Sequence, residues 1–174
     1  FLKPIYAGLP SATVVTDSSD QNVSQFIREH DRVIMLGHGY PAGLFFMVND
    51  SHASLLRQKR DNLYIWCHAD QYVKHHGLTG LTTSMFISET GEAMYSGIPD
   101  KTYSQSTVTC SNELFARLVA EKIHVPLREL HAYLLDRYQP KGCPTIEYNR
   151  ERLELIGSEA ASAKRSRSAA LLTH

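Results

Sequence analysis

The chain has 174 residues, 18 Lys and Arg against 18 Asp and Glu, 43% hydrophobic residues and three cysteines. That length carries one domain with a sizeable core, and the charge balance gives no electrostatic reason to expect a nucleic-acid or membrane partner. The odd, sparse set Cys67, Cys110 and Cys143 argues against a disulfide scaffold and for a reducing, cytoplasmic setting. No apolar run reaches the roughly 18 residues of a membrane span, and no cleavable signal pattern is read in the sequence.

Taken in order, residues 2–10 hold two prolines and a glycine and read as a loop. Residues 12–16 are β-branched enough for a short strand, and the cluster 17–20 offers N-caps. Val23, Phe26 and Ile27 then share one face of a helix of about ten residues ending near His30. Residues 33–36 are all apolar, as in strands covered on both faces. A second apolar run, 44–48, reads as another strand, and a turn at 49–51 caps a helix over 53–60. Residues 63–66 form the next strand, followed by a short helix over 69–76 stopped by Gly77.

Further strands are expected over 82–88 and 145–148, with a helix over 89–95 between them. Segment 98–105 reads as polar and irregular. Ser111 caps a helix running to Ile123, and Pro126 opens a helix over 127–138 with Leu130, Tyr133 and Leu134 inward. A final short element covers 150–156. From Gly157 the composition turns to Ala, Ser, Lys and Arg without apolar period, which reads as a flexible tail (157–174) after a single domain (1–156). Strands alternating with helices imply a three-layer α/β/α sandwich with a mostly parallel sheet.

Two apolar runs end in reactive side chains. The first stops at Gly37-His38-Gly39 and the second at Cys67. Strands that stop there place an imidazole and a thiol at one edge of a parallel sheet, where open α/β sheets carry their ligands. A thiol attacks an acyl group as thiolate, so it needs a lowered pKa or an adjacent base, and histidine suits that role. The 28 intervening residues suffice for one strand, one helix and their turns. Gly39 lets its N–H approach an oxyanion closely, with the N–H of Cys67 as the second donor.

An apolar strand, His38-Gly39, a short loop, Gly43-Leu44 and a second apolar strand ending in Cys67 resemble the caspase-like cysteine peptidases: caspases, metacaspases, legumains, clostripain and gingipains. The resemblance covers residues 32–70 well and 69–88 loosely. It implies a caspase-haemoglobinase-like fold, His38 and Cys67 as catalytic dyad, Gly39 as oxyanion glycine and a protein or peptide substrate. No cofactor is implied, and a regulatory protein partner is compatible with it. The chain lacks the caspase Gln-Ala-Cys-x-Gly signature, and Ile65 stands where Arg-specific relatives carry an acid. Asp70, three residues after Cys67, and Glu89, at the end of the strand expected over 82–88, are the nearest candidate acids for a pocket beside the dyad, and either would favour a basic P1 residue if it faced the pocket. The plainer expectation is that each caps a helix, and that Trp66 is core.

Three rivals accompany this reading. A caspase-fold binding or regulatory module would keep the sheet and lose the dyad geometry. A zinc-dependent hydrolase would draw on His38, Cys67, His68, Asp70, His75 and His76, although surface histidines near a helix C-terminus account for the last pair. Gly37 to Gly43 is glycine-rich, but Pro41 removes an N–H that a phosphate cradle would use. Cys110 and Cys143 are read as structural residues in polar turns.

Overall fold

The structure is a computed structural model, which describes residues 1–16, 20–96 and 103–157. It is a mixed α/β fold. A four-stranded sheet has the order β1 (Ile34–Leu36), β4 (Leu63–Ile65), β5 (Gly80–Thr83), β6 (Leu153–Ile156). The first three strands are parallel, with Ile34 opposite Leu63 and Leu63 opposite Leu81; β6 runs antiparallel to β5.

Alternation along β4 splits the core in two. Leu63 and Ile65 join Leu81 on one face, beneath α1 (Lys3–Ala7), α6 (Gln105–Lys122), α7 (Leu127–Arg137) and α8 (Pro144–Arg150). Tyr64 and Trp66 join Met35 on the other, with α2 (Asp20–Glu29), α3 (Ala53–Leu56) and α4 (Ala69–His75). The fully buried Asn62 ties the start of the sheet together. Its Oδ1 accepts the Val33 N–H at 3.0 Å, while its Nδ2 donates to the Tyr64 hydroxyl at 3.1 Å.

Several expected elements differ. Residues 3–7 are helical rather than loop, with Pro4 in the first turn and Ile5 buried against the core. Residues 12–15 form no strand, and Val14 is exposed. The run 44–48 does not extend the sheet: β3 (Gly43–Leu44) folds back on β2 (Gly39–Tyr40) as a two-residue antiparallel pair. That reversal leaves Phe46 95% exposed. The helix over 53–60 shortens to α3, after a 3₁₀ turn at Asp50–His52. Helix α6 starts seven residues before Ser111, at a Ser104 cap, because Ser111 is not a cap but a buried partner of the Tyr138 hydroxyl, at 2.6 Å. Residues 145–148 are helical in α8, which opens at Pro144.

Helices α2, α4 and α7 match expectation within a residue or two, and Gly77 takes a left-handed φ of 60° after α4. The caps expected at 17–19, most of the irregular segment at 98–105 and the tail beyond Gly157 lie outside the described residues. Among the described residues no helix is long and apolar enough to cross a membrane.

Candidate active site

The parallel register of β1 and β4 brings His38 beside Cys67. The ladder continues past both strands, where the Gly37 N–H donates to the Ile65 carbonyl at 3.1 Å. His38 follows immediately, and Cys67 follows Trp66 one residue further along β4. The chain then turns sharply into α4 through His68, whose φ of 65° is left-handed. That turn is held by the His68 N–H on the Ser84 carbonyl at 3.1 Å and by the Thr83 hydroxyl on the Trp66 carbonyl at 2.8 Å. Both reactive side chains line one cavity of about 300 Å³, with Ile65, Trp66 and Phe86 as apolar walls.

The same cavity carries two carboxylates from the start of α5 (Thr90–Tyr95). Glu89 caps that helix and places Oε1 3.5 Å from His38 Nε2. Glu92 reaches between the two reactive groups. Its Oε1 is 3.7 Å from His38 Nδ1 and 3.6 Å from Cys67 Sγ, the thiol being the donor in the second contact. The thiol also faces the Phe86 carbonyl at 3.5 Å. Burial pushes the Cys67 thiol up to about 11, opposed by the Phe86 contact and reinforced by the Glu92 charge. Burial beside a carboxylate thus favours the neutral thiol in the free protein, and an adjacent base is what the site offers for activation.

Gly39 begins the hairpin that follows His38. Its α-carbon lies against the Trp66 ring, so a Cβ there would come within 2.2 Å of Trp66 Cδ1. Close packing thus requires glycine at this position, independently of any oxyanion role. Trp66 is core, 2% exposed, and its Nε1–H donates to the Tyr40 carbonyl at 3.3 Å.

Of the two acids singled out in the sequence, Glu89 lines the dyad cavity and Asp70 does not. Asp70 sits in the first turn of α4, 3.5 Å from Lys74 Nζ, and faces a separate depression beside Ser84 and Glu154. The histidines weighed as zinc ligands are dispersed. His76 Nε2 pairs with Asp50 at 3.0 Å and His68 Nδ1 faces Gln71 at 3.2 Å. Among the described residues no group of three or more His, Cys, Asp or Glu is arranged to hold a metal ion. Cys110 is exposed within α6 rather than in a turn, and Cys143 precedes α8.

Sequence reasoning missed Glu92. The available signal was an acid three residues after the Glu89 cap, the spacing at which a side chain reaches back to the cap N–H. Glu92 does so at 3.0 Å, but its reach to Cys67 spans 25 residues and has no local signature.

Comparison of the chain with protein-family models, with curated proteins and with solved structures returns no match.

Proposed function

We propose that this protein is a cysteine peptidase of the caspase-like type, with His38 and Cys67 as its dyad and a caspase-haemoglobinase-like α/β/α sandwich as its scaffold. The observation that carries the reading is the placement of imidazole and thiol at the ends of adjacent parallel strands, in one cavity. The sheet order, with a last strand antiparallel to its neighbour, is compatible with that scaffold.

In this reading the Cys67 proton passes to His38 as the sulfur adds to a peptide carbonyl. The backbone N–H groups of Gly39 and Cys67 hold the oxyanion. His38 returns the proton to the leaving amine, and water then releases the acyl group from sulfur, regenerating the thiol. Apolar walls from Ile65, Trp66 and Phe86, with Glu89 at an exposed rim, suit a P1 side chain with a long aliphatic stem and a cationic head. The substrate is a protein or peptide, and the chemistry calls for no cofactor.

One observation favours a second reading, the non-catalytic module: the thiol is partly buried with a carboxylate at 3.6 Å, a setting that pushes it up rather than down. A fluorogenic peptide library varied at P1 separates the two. The peptidase reading expects cleavage that Cys67→Ala and His38→Ala each reduce by about 10³-fold or more. Cleavage that survives Cys67→Ala refutes the dyad, and a folded wild-type protein that cleaves no member of the library favours the module.

A further inference from the structure

Glu92 has no part in the reaction as written above, yet it touches both of its reacting groups. Oε2 is pinned by three donors: the Ser88 N–H at 2.6 Å, the Ser88 hydroxyl at 2.9 Å and the Glu89 N–H at 3.0 Å. Oε1 faces Cys67 Sγ and His38 Nδ1. The side chain is only 16% exposed, and among the described residues no Lys or Arg side chain lines the cavity. Among the described residues the titratable side chains facing the thiol are Glu92 and His38, with Glu89 beyond the ring, and Phe1, which carries an amino group, also lines the cavity. A thiolate formed here while His38 is neutral would confront a fixed carboxylate at 3.6 Å.

We propose that Glu92 is a charge lock on the nucleophile, and that a cationic substrate side chain releases it. A guanidinium or ammonium entering the cavity pairs with Glu92 and cancels the charge that opposes thiolate formation, while Glu89, 3.5 Å from His38 Nε2, faces the imidazolium that forms. The proton then moves from Cys67 Sγ to the His38 ring. One S–H bond breaks, one N–H bond forms, and a thiolate–imidazolium pair results. Binding and activation become one event, so part of the binding energy of the cationic group appears in kcat rather than in KM. A neutral side chain of the same shape fills the cavity and leaves the lock closed. The upward push on the Cys67 thiol in the resting protein comes first from burial, and the Glu92 charge adds to it. The release step rests on the peptidase reading; the lock itself does not.

The lock is tested by the pH–rate profile of iodoacetamide labelling at Cys67, mapped by mass spectrometry, in the wild type and in Glu92→Gln. The wild-type midpoint is expected near 11. Loss of the charge should move it down and raise the rate at pH 8 by about three- to tenfold, because burial remains. A wild-type midpoint at the ordinary thiol value, or a folded Glu92→Gln protein labelled at the wild-type rate at every pH, overturns the lock.

Release is tested on wild-type protein with two matched peptidyl anilides, one ending in arginine and one in its uncharged analogue citrulline. The expected kcat ratio is about 100-fold or more in favour of arginine, with a smaller difference in KM. In Glu92→Gln the ratio should shrink because the citrulline substrate gains. Equal wild-type kcat values overturn release. If neither anilide is cleaved, release is overturned with the peptidase reading on which it rests, and the labelling profile still decides the lock. Since Glu92 also caps α5, a circular dichroism melt accompanies the variant; if Glu92→Gln does not fold, the wild-type labelling midpoint and the wild-type kcat ratio decide.

Discussion

Gly39→Ala isolates the contact that seats the His38 hairpin. The added methyl carbon would lie 2.2 Å from Trp66 Cδ1 and 2.6 Å from both Trp66 Cγ and the Gly43 carbonyl oxygen. Carbon atoms at rest sit about 3.5–4.0 Å apart, so the ring or the hairpin must retreat by more than about 1 Å. The ring is poorly placed to do so. It is buried, bonded to the Tyr40 carbonyl, and held edge-on by Tyr64 and Tyr72, each with ring centroids 5.7 Å away. Overpacking of this kind costs about 1–3 kcal/mol, which in a domain of this size lowers Tm by roughly 2–12 °C. Trp66 is the sole tryptophan of the chain, so its fluorescence reads the contact directly during a thermal melt. The expected result is a lower Tm with an altered native emission spectrum. Because the Phe45 N–H donates to the His38 carbonyl at 3.0 Å, the displaced hairpin should also shift His38. A variant with wild-type emission and a Tm within about 1 °C of wild type would refute the packing argument.

Two further outcomes follow from buried polar groups. Cys67 ionises near 9.0 when unfolded and is pushed up to about 11 in the fold, so its contribution to stability is complete below pH 9 and is lost as pH rises toward 11. Urea midpoints across that range should fall, and Cys67→Ala should make the fall shallower. Equal slopes would sink the assignment. Burial also raises Tyr64 to about 12 and lifts Tyr72 and Tyr138, so the decline continues above pH 10 in both proteins. Asn62→Ala removes the acceptor of the Val33 N–H and a donor to the Tyr64 hydroxyl inside the core. Chemical denaturation should register a loss of about 2–4 kcal/mol, and a loss below about 0.5 kcal/mol would show that water or a rearranged side chain satisfies both groups.

The sequence by itself determined what depends on near neighbours. The apolar runs at 33–36 and 63–66 gave two strands whose ends carry His38 and Cys67. The 3.6-residue period located α2 and α7, and Gly77 stopped α4, because those signals act over one or two turns of chain.

What tertiary structure decided are the features set by contacts distant in sequence. The run 44–48 has strand-like composition, but strand preference describes fit to a pleated, half-buried surface rather than an intrinsic backbone choice. Here Gly43, at a φ of 144° with its α-carbon against the Val48 carbonyl, turns the chain back on Gly39 and leaves Phe45 and Phe46 outside. Ser111 looked like a cap until Tyr138, 27 residues away, gave its hydroxyl a buried partner. Asp70 and Glu89 were both candidates by their places after strands that end near the site. Only the fold brought Glu89 and Glu92, at the start of α5, into the cavity of His38 and Cys67, while α4 carried Asp70 to Lys74. Local periodicity places the thiol and the imidazole; the carboxylate that faces them both comes from a helix more than 20 residues after Cys67, and only folding brings it there.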